Sequence, residues 1–274
     1  MKLSYLERLC YITTRIETIK TNGENKVATG FFVRMNIEGK DIIYLVTNRH
    51  VAENTKTITI HINRADNEGN PILGECINIE IENAQKVCIL HPNPMVDLAL
   101  FKTEEVLKEA QKICPQIALQ VLTESSFMKS NQKELDAVED IIMVGYPKGL
   151  WDKTNNRPLF RKGITATDPK TNYNGQKRFL IDCGCIYGSS GSPVLIYNKG
   201  IHADKFGNRV TLGESSLTLL GIFSELHTHI EHVVFENIDG KSITKEINIP
   251  INIGYVEKVE NLLDFKVILR QQII

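Results

Sequence analysis

Short apolar runs, separated by polar or turn-forming residues, dominate the hydrophobic pattern of this 274-residue chain. The runs are rich in Val, Ile, Phe, Tyr and Thr, and clusters of Gly, Asn, Pro or Lys interrupt them, which is typical of strands and turns. The candidates are ITTRIETI, VATGFFVRM, DIIYLVTN, TITIHIN, CINIEIE, KVCILH, DLALFK, DIIMVGY, RFLIDCGC, SPVLIYN, LTLLGIFSE and KEINIPINIGYV. The pattern predicts an all-β protein.

Helical periodicity occurs only in short pieces of the chain. It predicts helices near residues 2–10, in the turn after His50, and over about 257–266 at the C-terminal end. The stretch NKGIHADKFGNRVTLGESS has the Gly and Asn content of a surface hairpin. None of these pieces changes the all-β prediction.

The most polar interruption between strands is LTESSFMKSNQKELDAVE, which leaves about six strand candidates on each side. A polar break between two groups of strands is typical of a connector between two barrels. We therefore predict one domain over residues 1–274, made of an N-terminal barrel over about 10–121, a connector over about 122–139, a C-terminal barrel over about 140–256 and the C-terminal helix.

Composition excludes some classes of partner. The chain is 42% hydrophobic and 24% charged, with a net charge of -1 and no block of Lys and Arg, so no nucleic-acid partner is expected. No stretch approaches about 18 uncharged apolar residues, so we expect no membrane span. The first residues lack the apolar core and cleavage site of a signal peptide, which predicts a cytoplasmic protein.

Six cysteines are too sparse and irregular for a disulfide scaffold, and no CxxC pair occurs. They are predicted to be buried thiols: Cys10, Cys76, Cys88, Cys114, Cys183 and Cys185. The last two would share a strand face and could hold a metal, but the other ligands of a zinc site are missing nearby.

The segment CIYGSSGSPV, residues 185–194, sets three serines and two glycines between apolar runs. One interpretation is a β-turn with serine as a neutral turn residue. The other is that Gly188 and Gly191 bend the backbone so that Ser190 Oγ stands free and backbone N–H groups point at one spot. Residues elsewhere in the chain must decide between the two.

Two polar residues fit a simple strand poorly. His50 follows the apolar strand IIYLVTNR, and Asp97 opens DLALFK. Either could be structural, since a histidine at a strand end is often a satisfied polar residue and an aspartate there is often a turn or cap residue. With Ser190, however, they supply a nucleophile, a base that works near neutral pH and a carboxylate that orients the base. The order His, Asp, Ser is that of chymotrypsin-type enzymes.

The flanking residues carry a family resemblance over about residues 25–260. ATGFFV, LVTNRHV, DLALF, GYP, GSSGSPV, LLGIFSE and NIGYV, in this order, resemble the trypsin-like serine peptidases of chymotrypsin fold, in the plainer form of intracellular bacterial members. The resemblance implies two six-stranded antiparallel β-barrels and a serine endopeptidase. It makes His50 the general base, Asp97 its orienting partner and Ser190 the nucleophile, with Gly188 and Ser190 N–H as the oxyanion hole. If Asp97 were not the orienting carboxylate, Glu139 and Asp140 would be the next candidates.

The resemblance also places the substrate. GIFSEL is similar to the family's strand that pairs with an extended peptide, so Ser224, Glu225 and Leu226 would bind substrate by β-strand addition. Gly184 would form the floor of the first specificity pocket and brings no acid for basic substrates. Protein or peptide substrates are implied, and a regulatory or recruiting partner protein is possible.

Departures from the family pattern limit the transfer. Ser189 stands where secreted members have the Asp that captures a newly cleaved N-terminus, so activation of that kind is not expected. Val51 replaces the cysteine that follows the histidine in secreted members, which agrees with a reducing compartment. Ser192 replaces a family glycine and could narrow the pocket.

Two alternatives remain open. ELHTHIEH could bind a metal through His227, His229 and His232, but a hydrolytic zinc site would make the Ser190 set redundant, so we expect neither metal nor cofactor. A catalytically silent trypsin-like module that binds peptides or partner proteins would keep the same fold, because a collapsed oxyanion loop suffices to abolish activity.

Overall fold

The computed structural model describes residues 3–129, 135–203, 206, 210–213, 215–236 and 242–271. Most of the described chain is β-structure, as predicted. The first half contains α1 (Tyr5–Ile12), β1 (Thr13–Lys20), β2 (Asn25–Ile37), β3 (Lys40–Thr47), α2 (Arg49–Ala52), β4 (Thr55–Ala65), β5 (Pro71–Glu82), β6 (Cys88–Leu90), β7 (Ala99–Lys102), α3 (Glu104–Ile113) and β8 (Leu122–Thr123).

The second half contains the two longest strands of the described residues. Its elements are β9 (Asp140–Gly145), β10 (Leu159–Thr165), β11 (Arg178–Asp182), β12 (Pro193–Asn198), β13 (Ile201–Ala203), β14 (Val210–Leu212), β15 (Ser216–Glu236), β16 (Ser242–Lys258) and α4 (Glu260–Gln271). The predicted C-terminal helix is α4. None of the helices in the described ranges is long and apolar enough to cross a membrane.

The C-terminal strands form a closed barrel in the order β10-β11-β16-β15-β12-β9. This confirms one of the two predicted six-stranded barrels. Its interior is filled by fully buried side chains such as Phe179, Phe223 and Val256. Burial of this apolar surface is the main force that holds a β-barrel together.

The N-terminal strands form an open sheet, so the prediction of a second closed six-stranded barrel is wrong. The order is β5-β4-β1-β2-β3-β7-β6, and β8 pairs in parallel with β2. The end strands β5 and β6 do not pair with each other. Helix α3 packs Val106 and Ala110 into the core of this sheet, which buries apolar surface without closing the ring of hydrogen bonds.

The predicted surface hairpin includes the pair β13 and β14, whose register joins Ile201 to Leu212. Residues 204–205, 207–209 and 214 of that prediction lie outside the described residues, as do 130–134 of the predicted connector. Strands β15 and β16 pair far beyond the barrel, from Gly221 opposite Lys258 to Glu236 opposite Ser242. They form a long two-stranded arm next to the strand segment predicted to bind substrate.

Candidate active site

His50 lies in the short helix α2, which begins two residues after β3 ends. The His50 N–H donates to Asp97 Oδ1 at 3.0 Å, and His50 Nδ1 lies 2.7 Å from Asp97 Oδ2. Asn48 Nδ2 donates to the Asp97 backbone carbonyl at 2.7 Å. One carboxylate thus holds both the backbone and the ring of His50, and it leaves the second ring nitrogen, Nε2, free of Asp97.

Lys20 binds the C-terminal end of this helix. The residues around it in β1 give no indication of this role. Its side chain is 7% exposed. Its ammonium donates to the carbonyls of His50, Val51 and Glu53 at 3.0, 2.7 and 2.6 Å and to Thr55 Oγ1 at 3.1 Å. Burial lowers the pKa of Lys20. The charge at the C-terminal end of α2 therefore pairs with the carbonyls of His50 and Glu53 and shares that of Val51 with Thr55 Oγ1.

Replacing Lys20 with methionine is expected to lower the free energy of unfolding by about 2 to 4 kcal/mol, because several carbonyls would lose their donor. The turnover number should also fall, since the His50 helix loses its cap. Urea unfolding and active-site labelling measure the two effects. The control is Lys56→Met on exposed Lys56 of β4, and equal effects of both variants would contradict the role of Lys20.

The loop that carries Ser190 depends on two glycines with positive φ. Gly188 has φ +83° and Gly191 has φ +84°, a region that L-residues rarely adopt. A Cβ on Gly188 would lie 2.6 Å from Lys148 N, and one on Gly191 would lie 2.0 Å from Thr29 O. Both glycines are therefore required, by the backbone conformation and by the atoms packed around them. An ordinary β-turn with serine as a neutral residue would not need such close packing.

Two backbone donors of this loop remain unused. In the described part of the chain, the N–H groups of Gly188 and Ser190 donate no hydrogen bond. Ser190 Oγ donates to the Ser224 carbonyl at 3.2 Å, and no hydrogen bond joins it to His50. Catalytic hydrogen bonds are often long or absent in unliganded enzymes. A rotation of the Ser190 side chain would be needed for it to meet the His50 ring.

Thr29 joins the loop to both halves of the fold, and it is fully buried. Its N–H donates to Ser190 O at 2.9 Å, and its Oγ1 donates to Gly188 O at 3.4 Å. The Thr29 Oγ1 also accepts from Tyr146 N–H at 3.0 Å and from Ser192 Oγ at 3.3 Å. Ser192, which the sequence analysis said could narrow the pocket, is thus fully buried, with its hydroxyl bonded to Thr29.

A cavity of about 830 Å³ brings most of the predicted site together. Its lining includes His50, Asp97, Gly188, Ser190, Ser224, Glu225 and Leu226. Gly184 does not line it. The Gly184 carbonyl accepts from Arg161 Nη1 at 2.7 Å. The proposed replacement acids Glu139 and Asp140 also lie outside the cavity lining.

Glu257 is a cavity residue that sequence reasoning missed. It is 5% exposed and accepts from Asn261 Nδ2 at 3.0 Å. Burial raises the pKa of Glu257 to about 7; the Asp97 N–H and Arg178 oppose the rise, whereas the Asp97 carboxylate adds to it. A buried acid thus lies directly behind the carboxylate that holds His50. The sequence analysis placed residue 257 at the start of the C-terminal helix, whereas the structure places it in β16.

Glu257 makes folding pH-dependent in a direction that can be tested. Because its pKa is raised from 4.5 to about 7 on folding, its protonated form favours the native state, and this stability is lost as pH rises through about 7. Relative to Glu257→Gln, the wild-type free energy of unfolding should fall by about 3 kcal/mol between pH 4 and pH 8. Urea titrations at both pH values measure it. Glu80→Gln, on exposed Glu80, is the control, and an equal pH dependence in wild type and Glu257→Gln would contradict the assignment.

The histidines of ELHTHIEH, an alternative metal site in the sequence analysis, have other neighbours in the structure. Within the described ranges, no three His, Cys, Asp or Glu side chains lie close enough to hold a metal ion. His227 Nδ1 instead lies 3.2 Å from Tyr255 Oη. The distant arm residue His232 has its Nδ1 3.9 Å from Glu246 Oε1.

A family comparison gives the class of the protein. The model of the trypsin-like peptidase domain matches residues 28–200, which include His50, Asp97 and Ser190. The chain therefore belongs to the trypsin-like peptidases, whose fold is that of chymotrypsin. A search of curated proteins found no significant match.

Solved structures with a similar fold differ widely in sequence. The HtrA-type protease AlgW with a tripeptide is 16% identical, with a TM-score of 0.49 over 97% of this chain and 62% of AlgW. The protease Anisep from Arthrobacter nicotinovorans is 15% identical, with a TM-score of 0.49 over 94% of each chain. Inactive tobacco etch virus protease with substrate is 11% identical, with a TM-score of 0.48 over 96% of this chain and 84% of that one. This chain thus spans less than two thirds of the AlgW chain.

Proposed function

We propose that the protein is a serine endopeptidase that cleaves peptide bonds through an acyl-enzyme. The observation that carries this proposal is the His50–Asp97 pair, 2.7 Å apart, in one cavity with Ser190 and two unused backbone donors. Ser190 Oγ would attack the carbonyl carbon while His50 takes its proton, and Asp97 would hold the ring in the required tautomer.

The unused N–H groups of Gly188 and Ser190 would then stabilise the negative oxygen of the tetrahedral intermediate. Preorganised donors of this kind contribute about 3 kcal/mol each to transition-state stabilisation. His50 would return its proton to the leaving amine, and water would release the acyl group by the same steps in reverse order. No step requires a metal or a cofactor.

Substrate would lie along Ser224, Glu225 and Leu226. These residues line the cavity, and β15 does not pair with β12 beyond Ile222, so the outer edge of this segment faces the site. An extended protein or peptide chain could add to this edge by backbone hydrogen bonds. A recruiting partner protein would be a second proposal, which pull-down with Ser190→Ala protein could test.

Hydrolysis of unfolded casein tests the proposed reaction. Wild-type protein should release peptides, and Ser190→Ala should release none above background. Release by both proteins at the same rate would contradict the proposal, because the hydroxyl of Ser190 would then be unnecessary.

A catalytically silent binding module is the second candidate, because Ser190 Oγ bonds to Ser224 O and not to His50. Such a module would bind peptides by the same strand edge without cleaving them. Wild-type protein that retains casein peptides on a column and leaves them intact would favour this candidate over the peptidase.

We further propose an intracellular, cytoplasmic peptidase of the bacterial type. Val51 in place of the cysteine of secreted members supports a reducing compartment. Cys76 was predicted to be buried, but the structure exposes it. Thiol alkylation in intact cells checks the proposed compartment, because Cys76 should react as a free thiol. A fully oxidised Cys76 in freshly broken cells would contradict it.

A further inference from the structure

Arg161 lies in β10, outside the lining of the active-site cavity, and its side chain turns toward the loop that carries Ser190. Its Nη1 donates to Gly184 O at 2.7 Å and to Ser189 Oγ at 2.8 Å. Ser189 is fully buried and immediately precedes Ser190. One guanidinium nitrogen therefore joins both ends of the segment 184–189.

The position of Arg161 is costly for folding. Its Nε and Nη2 are buried without a hydrogen-bond partner in the described part of the chain. Burial lowers the pKa of Arg161, and the ionisable groups that oppose this are the thiols of Cys183 and Cys185. No carboxylate of a described residue forms an ion pair with it. Arg161 is partly buried, and a charge with incomplete pairing in such a place is weak evidence for stability, since apolar replacements are often neutral or stabilising.

The contacts of Arg161 instead bear on catalysis. The segment that it joins includes Gly188, whose N–H is one of the two unused donors, and it ends next to Ser190, whose N–H is the other. Inside the segment, the Ser189 N–H donates to Ile186 O at 3.2 Å and Tyr187 O accepts from Lys148 N at 2.7 Å. Neither bond uses the Ser189 side chain, so Arg161 is what fixes that hydroxyl.

We propose that Arg161 is a positioning residue that holds the oxyanion loop in its active conformation through Ser189 Oγ and Gly184 O. The inference rests on the proposed peptidase function. Arg161 belongs to β10, so its guanidinium reaches the loop in the intact chain without any cleavage. Its effect is on the transition state, because the oxyanion donors meet charge only as the reaction proceeds.

A fluorophosphonate probe measures this effect without a known substrate. Ser190 Oγ attacks phosphorus, fluoride leaves, and the serine proton passes to His50, so the phosphonyl oxygen occupies the oxyanion hole. The labelling rate at saturating probe measures how well the oxyanion loop stabilises the transition state. The probe concentration that gives half of this rate measures how tightly the probe binds. Arg161→Met should lower the saturating rate tenfold or more, with the half-maximal concentration changed less than threefold and the melting temperature within a few degrees of wild type.

Ser189→Ala removes the acceptor and keeps the cation. It should lower the saturating rate at least threefold, and the double variant should be no slower than Arg161→Met, because both changes remove the same contact. Lys162→Met is the matched control on the same strand: its side chain is exposed and its Nζ lies 2.7 Å from Asp140 Oδ2. It should label at the wild-type rate.

Three results would overturn the proposal. The saturating rate of Arg161→Met could fall less than tenfold, the loss could lie in the half-maximal probe concentration, or the double variant could be slower than Arg161→Met. If Arg161→Met does not fold, Arg161→Lys and Ser189→Ala decide, since each must lower the saturating rate at least threefold, and a smaller effect overturns it. If wild-type protein takes up no probe at Ser190, the proposed peptidase function itself is wrong. If wild type is labelled and the variants are labelled equally fast, only the role of Arg161 is wrong.

Discussion

Replacing Asp97 with asparagine is expected to lower the acylation rate of Ser190 by about ten-thousand-fold while the protein stays folded. The carboxylate accepts from the His50 N–H through Oδ1 and lies against His50 Nδ1 through Oδ2. An amide can place an N–H where the carboxylate could only accept, which favours the tautomer that cannot take the serine proton. Fluorophosphonate labelling rates and the melting temperature measure the two parts of this prediction.

Asp152→Asn is a matched control for Asp97→Asn. The Asp152 carboxylate accepts turn hydrogen bonds from the N–H groups of Thr154 and Asn155, a position that asparagine serves almost as well. It should label at the wild-type rate. A well-folded Asp97→Asn protein that labels within a few-fold of wild type would remove Asp97 from the mechanism. Glu139 and Asp140 could not replace it, because neither lines the cavity.

Replacing Gly191 with alanine should have the largest effect on folding. The added Cβ would lie 2.0 Å from Thr29 O and 2.6 Å from Thr47 Oγ1, at a φ of +84°. Neither neighbour can move easily, since Thr47 Oγ1 donates to Thr29 O at 2.9 Å within the core. We expect a loss of about 3 to 5 kcal/mol in the free energy of unfolding, from steric overlap and from strain at positive φ. Urea unfolding measures the loss.

Gly23→Ala separates the two causes. Gly23 has a similar φ of +85°, but nothing lies within 4 Å of an added Cβ. It should lose only the conformational part, about 1 to 2 kcal/mol. Equal losses at the two glycines would contradict the close packing of Gly191 against Thr29.

The residues of the candidate site could be predicted because their chemistry is local and ordered along the chain. His50 follows an apolar run, Asp97 opens one and Ser190 lies in a tract of small residues between two. Each has flanking residues typical of the family. The family model of the trypsin-like peptidase domain matches residues 28–200, a range that contains all three residues. What the sequence could not indicate was that Ser190 Oγ bonds to Ser224 and not to His50, because a side-chain rotamer leaves no pattern.

The supporting residues could not be predicted for a different reason. Lys20 and Arg161 are each one polar position in a strand, where an exposed side chain is the ordinary expectation, and Glu257 was predicted to lie in the C-terminal helix. Their partners come from distant parts of the chain: Lys20 reaches the His50 helix, Arg161 reaches Ser189, and Glu257 lies behind Asp97. Alternation predicts which face a residue occupies and not what lies across it.

The strands could be predicted from the sequence, but whether a sheet closes into a barrel could not. Alternation is the same in an open sheet and in a barrel, so the missing pairing of β5 with β6 has no signal in the apolar runs. Helix α3 was missed although Val106 and Ala110 are spaced as on one helical face. The arm of β15 and β16 was predicted too short, because exposed residues on both its faces remove the alternation.

The most direct test of the account is the site of attachment of a fluorophosphonate probe. Wild-type protein is incubated with the probe at neutral pH, digested, and the modified residue is found by mass spectrometry. We expect one adduct on Ser190, none on Ser189 or Ser192, and no labelling of Ser190→Ala or of heat-unfolded protein. An adduct on another serine, or labelling of Ser190→Ala at the wild-type rate, would contradict the assignment of Ser190 as the nucleophile.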